Sequence, residues 1–202
     1  MKKRVITISR QFGSGGHSIG KSVAEQLGIP YYDKEILDRI VAETGFAPGF
    51  VEKASEYAAS NSSLLWNLVM KHSPSHVPEE NPADVIYFAQ AKIIKETAEK
   101  ESCVIVGRCS DYVLRDREDC LHIFICSDKH SRAKRILENY EDTGKPVEKR
   151  IDDNDTRRKI YYSHYTDRVW GAPENYHAVL NSGALSEEAC VRTIRELYQA
   201  YR

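Results

Sequence analysis

A chain of 202 residues with 41% hydrophobic and 29% charged residues has an ordinary globular composition and suits one domain, or one domain with an inserted lobe. Its formal charge of −1 sets up no general field for nucleic acid or an anionic membrane, so any anion site has to be local. The five cysteines are odd in number and form no C-x-x-C pair, which argues against a disulfide framework or a zinc site and for reduced thiols in the cytoplasm.

Lys2, Lys3 and Arg4 precede an apolar stretch, but Val5 to Ile8 is too short for a signal peptide or a membrane span. That run is β-branched and ends at glycines, the pattern of a buried parallel strand feeding a helix. The helix is expected to reach Leu27, where Gly28 and Pro30 stop it. Tyr31-Tyr32 reads as a second strand, and Asp33 can cap a helix over Ile36, Leu37, Ile40 and Val41.

From residue 45 to 82 the pattern changes to short amphipathic pieces, Val51 to Tyr57 and Leu64 to Met70, and a Pro-rich connection from His72 to Pro82. This predicts an inserted helical lobe. A helix over 83–100 then feeds a strand over Cys103 to Val106, and a strand over Leu121 to Cys126 precedes a helix after Asp128. Residues 128–159, dense in both signs of charge at helical spacing, read as a solvated helical surface. Tyr161, Tyr162, Tyr165 and Trp170 read as lobe packing or an oligomer surface. A last strand, Ala178 to Asn181, leads to a helix capped by Ser186. The fold expected is one α/β domain over 1–202, with a doubly wound five-stranded parallel sheet and ligands outside the carboxyl ends of its strands.

The segment Ser9-Arg10-Gln11-Phe12-Gly13-Ser14-Gly15-Gly16-His17-Ser18 lies between a strand and a helix. There, successive backbone N–H groups and the helix N-terminus can surround a phosphate. A literal G-x-x-x-x-G-K-S match also occurs at Gly15, Gly20, Lys21 and Ser22, naming Lys21 as the phosphate lysine. That register leaves the helix less than two full turns at ~3.6 residues each, so Gly13 to Ser18 is preferred as the loop, with Gly16 in the lysine's place. Gly13, Gly15 and the acidic Asp33 mimic a dinucleotide fingerprint, but its third glycine is missing. Ser18 can cap the helix and reach Mg²⁺, His17 can hydrogen-bond phosphate, and Asp33 can bind an acceptor hydroxyl or a Mg²⁺-linked water, or simply cap the next helix.

Ile6-Thr7-Ile8-Ser9-Arg10-Gln11-Phe12-Gly13-Ser14-Gly15-Gly16, followed by Leu27-Gly28-Ile29-Pro30-Tyr31-Tyr32-Asp33-Lys34-Glu35, resembles the cytidylate kinase-like family of P-loop nucleoside monophosphate kinases. Val104-Ile105-Val106-Gly107-Arg108 is similar to the strand and Gly-Arg-Asp of cytidylate kinases, with Cys109 in place of the aspartate. Ile123-Phe124-Ile125 with Arg132-Ala133-Lys134-Arg135 is similar to the strand and start of the lid helix, and Val179-Leu180-Asn181-Ser182 to the last strand and its Ser turn.

The resemblance implies a phosphotransferase that uses ATP and Mg²⁺ on a nucleoside monophosphate or similar small acceptor. Its site would comprise Arg10, Arg108 and Arg132 in catalysis, Gly13 to Ser18 with Lys21, Arg135 and Arg157 on the donor phosphates, Asp33 and Arg108 on the acceptor, and Ser18 on the metal. It also implies a helical lid over residues 128–165, with Arg150 and Arg158 as further candidates, and makes the lobe over 45–82 the acceptor-binding one. Nucleic acid and membrane are not expected as partners, and a homo-oligomer stays open. The family's lysine is Gly16 here, so either another cation replaces it, Arg10 before Lys21, or the protein binds nucleotide as a regulator without turnover.

Overall fold

A computed structural model describes residues 4–55 and 81–201. The central strand β1 (Val5–Arg10) is buried from Val5 to Ser9, as a strand covered on both faces is. It runs parallel to β3 (Cys103–Val106), with Val5 opposite Cys103, and to β4 (Cys120–Cys126), with Val5 opposite Cys120. With β2 (Tyr31–Tyr32) and β5 (Ala178–Asn181) the sheet has five parallel strands in the order β2-β3-β1-β4-β5. The chain leaves β1 toward β3 and β2 and later returns to β4. The carboxyl end of β1 therefore lies at the switch point where open α/β sheets leave a crevice.

Helices cover both faces, following the alternation of side chains along each strand. Ile6 and Ile8 pack with Ile19 and Val23 of α1 (Gly16–Leu27) and with Cys190 and Ile194 of the last helix, α8 (Glu187–Ala200). On the other face Val5 and Ile105 join Ile36 and Ile40 of α2 (Lys34–Thr44), Val51 of α3 (Pro48–Ala54) and Ile93 of α4 (Pro82–Lys100). A short α5 (Ser110–Val113) follows β3. The lid segment comprises α6 (Lys129–Asn139) and α7 (Val147–Thr166). Tyr161, Tyr162 and Trp170 are buried with Tyr87 and Phe124, so the aromatic run anchors α7 to the sheet.

The helix starts follow local chemistry. Asn81, Asp128 and Ser186 each accept a backbone N–H as N-caps of α4, α6 and α8, and Gly28 ends α1 in the left-handed conformation. Two capping expectations are corrected. Asp33 occupies the N-cap position of α2 but its side chain makes no cap hydrogen bond, because its carboxylate turns to His17. The N-cap of α1 is Gly15, with no side-chain cap; the Ser18 hydroxyl stands 2.9 Å from the Gly15 carbonyl and 2.8 Å from Glu187, with one proton for the two acceptors. Of the expected lobe over 45–82, α3 is described; the expected piece Leu64 to Met70 lies outside the described residues.

Candidate active site

Beyond the carboxyl end of β1 lies a cavity of about 550 Å³. One wall is the loop from Gln11 into α1. The left-handed Gly13 and Gly15 turn the chain so that the helix opens at Gly16, and the unpaired N–H groups of a helix start favour an anion. Ser14 is buried and faces inward: its hydroxyl donates to the Gln11 carbonyl, and the Ser182 hydroxyl donates to its carbonyl. Ser14 therefore supports the loop from behind.

The side chain of Arg10 fixes the character of this wall. A Cβ on Gly16 would stand 2.5 Å from Arg10 Cβ and 2.9 Å from its Cγ, and a Cβ on Gly107 would overlap Arg10 Nη1. Arg10 therefore leaves the end of β1, crosses the space that a side chain at 16 would occupy, and brings its guanidinium to the end of β3. Lys21 takes no part in the cavity lining. It is exposed in the second turn of α1; Gly20 of the literal motif is buried beside it and Ser22 is half-buried, and neither lines the cavity.

The lid reaches the loop at three points. Arg135 donates through Nη1 to the Gly13 carbonyl at 2.9 Å and through Nε to Glu187 at 3.1 Å. Arg158 donates to the Arg10 carbonyl at 3.1 Å, and both Arg135 and Arg158 line the cavity. Arg132 lies outside the lining. Its side chain is 5% exposed and ion-paired with Asp155, which also accepts the Phe12 N–H. Arg132 thus pins the loop from outside the cavity, while Arg157 is exposed and also absent from the lining.

On the side of β2 and β3 stand Asp33, His17, Tyr31 and Arg108. Asp33 and His17 line the cavity. His17 Nδ1 is 3.0 Å from Asp33 Oδ2 and 2.8 Å from the Tyr31 hydroxyl. An ionised carboxylate only accepts, so the proton of a neutral ring is assigned to Nδ1. Burial, and next the Asp33 charge, push the Tyr31 hydroxyl well above the ordinary phenol range, so it stays protonated. Arg108 is buried behind the lining: Nη1 donates to Ser55 at 2.6 Å, and Nη2 is ion-paired with the lining carboxylate of Asp33 at 3.9 Å. Arg108 and Cys109 hold left-handed backbone angles, which cost energy in residues with a Cβ.

Glu187 went unnoticed in the sequence. It follows the cap Ser186 at the start of α8, where an acidic residue ordinarily just complements the helix dipole. In the fold it lines the cavity beside Gly15 and accepts from the Ser18 hydroxyl at 2.8 Å.

Against this geometry stand the known proteins. The sequence matches the cytidylate kinase-like family over residues 5–184. The chain belongs to that family. A cytidylate kinase of Archaeoglobus fulgidus is 29% identical over 195 residues, covering 94% of this chain and 91% of that protein. Among solved structures, an uncharacterized protein from Eubacterium ventriosum superposes with a TM-score of 0.71 at 26% identity, covering 98% of this chain and 99% of its own. A shikimate kinase from Bacteroides thetaiotaomicron gives 0.58 at 14% identity, covering 97% and 98%, a likeness of fold. The fold is that of P-loop kinases, and family and fold together support a nucleotide or small-molecule kinase-like role. No helix of the described residues is long and apolar enough to cross a membrane.

Proposed function

We propose that the protein is an ATP-dependent phosphotransferase in which Arg10 supplies the cation that P-loop kinases take from a lysine. The supporting observation is the side chain of Arg10 lying across the position of Gly16. The charge is delivered from the first strand, along the route that a side chain at 16 would otherwise block.

Backbone N–H groups from Gly13 to Ser18 surround the triphosphate, and the guanidinium of Arg10 reaches its oxygens with paired donors. Arg135 and Arg158 close from the lid. Phosphoryl transfer depends mostly on position and on cations around the moving charge, which these residues supply.

Among the described residues no group of three or more His, Cys, Asp or Glu side chains is placed to hold a metal ion. Mg²⁺ takes few protein ligands and several phosphate and water oxygens. The Ser18 hydroxyl, its proton directed to Glu187, offers lone pairs for such a role. Mg²⁺ bound with the triphosphate would neutralise its β- and γ-oxygens. The acceptor enters from the β2–β3 side, and the family relationship favours a nucleoside monophosphate.

A thermal-shift comparison tests this reading. ATP with Mg²⁺ at ~100 times its dissociation constant should stabilise the fold by ~2.7 kcal/mol, and NAD should not. Stabilisation by NAD alone would overturn the assignment of the loop.

A further inference from the structure

Resting on the phosphotransferase reading above, we infer that the divalent ion accompanying the triphosphate takes the imidazole of His17 as a ligand. The site then prefers an ion that binds nitrogen, Mn²⁺ or Co²⁺, to the Mg²⁺ that the family relationship implies.

The argument starts from position. His17 is the second residue of α1, directly after the glycines, and it lines the cavity. An ion bound with a triphosphate bridges its β- and γ-oxygens, so it stands at the same helix start that surrounds those phosphates. Among the residues lining the cavity, His17 alone carries an imidazole.

The ring is held as metal-binding imidazoles are. Nδ1 is 3.0 Å from Asp33 Oδ2 and 2.8 Å from the Tyr31 hydroxyl, and the Tyr31 ring meets the imidazole edge-on with centroids 5.5 Å apart. A carboxylate on one ring nitrogen fixes the tautomer, leaves the lone pair on the other and raises its basicity. Nε2 makes no hydrogen bond among the described residues. The carboxylate is itself held from its other side, since Oδ1 is ion-paired with Arg108 at 3.9 Å. Asp33 therefore leaves its helix uncapped to orient a ring.

Stability gives a weaker reason for this arrangement. The His17 side chain is 55% exposed, so water can satisfy both nitrogens, and an exposed pair of this kind adds little to folding. Order imposed on the ring has its use in the cavity.

The ion follows from the ligand. Mg²⁺ is a hard cation that keeps oxygen ligands, whereas affinity for a nitrogen ligand rises through the first-row ions from Mn²⁺ to Co²⁺. One imidazole with phosphate and water oxygens makes such a site without the protein-only cluster that the described residues lack.

The test uses metal-free protein with its histidines labelled with ¹⁵N, loaded with Mn²⁺ and β,γ-methylene ATP and examined by pulsed electron paramagnetic resonance. The expected signature is the coupling of a directly bound ¹⁵N, which the unlabelled adenine cannot give and which needs no substitution in the protein. His17→Gln should remove it. In calorimetric titrations with the same analogue, His17→Gln should weaken the Mn²⁺ and Co²⁺ complexes at least about tenfold and the Mg²⁺ complex by less than about threefold. Asp33→Asn should keep the coupling but weaken the Mn²⁺ complex about tenfold, as loss of an outer partner does. Bound Mn²⁺ and analogue with no ¹⁵N coupling overturns the proposal, and so does an equal loss for all three ions in His17→Gln. If the analogue fails to bind with any of the ions, the reading of the loop falls first and this inference with it.

Discussion

Arg10 and Gly16 share one space: the Arg10 Cβ lies 2.5 Å from the point where a Cβ on Gly16 would stand. Neither residue can be read alone. Glycine at 16 is what lets an arginine at 10 cross to Gly107, and the arginine puts a permanent cation in a loop that has no lysine of its own.

Arg10→Ala should therefore lower triphosphate affinity or turnover at least about tenfold, ~1.4 kcal/mol. Lys21→Ala should change both much less, since Lys21 is exposed and away from the cavity lining. Isothermal titration with steady-state kinetics checks the pair. A larger loss from Lys21→Ala restores the literal G-x-x-x-x-G-K-S register.

Gly16→Ala ought to favour a helix start on propensity alone, yet overlap with Arg10 should make it destabilising by about 1–3 kcal/mol. In an Arg10→Gly background the same change should cost little. A double-mutant cycle by urea unfolding measures this coupling; additive effects would mean that the two side chains do not compete.

The Arg132–Asp155 pair is largely buried, and Asp155 also accepts the Phe12 N–H. Removing one partner leaves an uncompensated charge, so Asp155→Ala should destabilise by about 3–5 kcal/mol. Because the pair holds the loop, amide exchange at Phe12 should also accelerate. Loss of stability without faster exchange there would confine the pair to holding α6 against α7.

His122 sets a pH dependence away from the cavity. Its Nδ1 is 2.7 Å from the Thr7 hydroxyl, its ring stacks on His177, and burial followed by the charges of His177 and Arg168 lowers its pKa from 6.5 to about 4. The folded protein keeps this ring neutral, whereas the unfolded chain takes up the proton first. The stabilisation is therefore full above pH ~6.5 and is lost as pH falls toward ~4, by about 3 kcal/mol at its limit. His122→Asn should flatten that part of the stability curve, measured by denaturant midpoints from pH 7.5 to 4.5. Parallel curves for the two proteins would assign the acid sensitivity to other groups.

Glu187 places a carboxylate over Gly15 and ties up Arg135. In Glu187→Gln the incoming phosphates meet less repulsion and a freer guanidinium, so triphosphate affinity should rise a few-fold, most at low salt. Titrations at two ionic strengths decide it. A salt-independent loss of affinity would make Glu187 a ligand-holding residue instead.

The sequence by itself determined the alternation of strands and helices, the glycine turn between β1 and α1 and the helix starts at Asp128 and Ser186, because these depend on neighbours within a few residues; it carried the loop to Ser18, whereas the helix already opens at Gly16. Apolar strands such as Val5 to Ile8 announce burial wherever they lie, and a helix start needs only its own first turn. Only the tertiary structure decided which charges face the cavity. Arg132 and Arg135 lie three residues apart on one helix, yet one is pinned by Asp155 and the other meets Glu187. Arg108 follows the end of β3 and is drawn to Ser55 and Asp33, and Asp33 leaves its helix for His17. Each of those choices depends on a partner at least 16 residues away along the chain. Charge in a sequence gives no direction; packing supplies it.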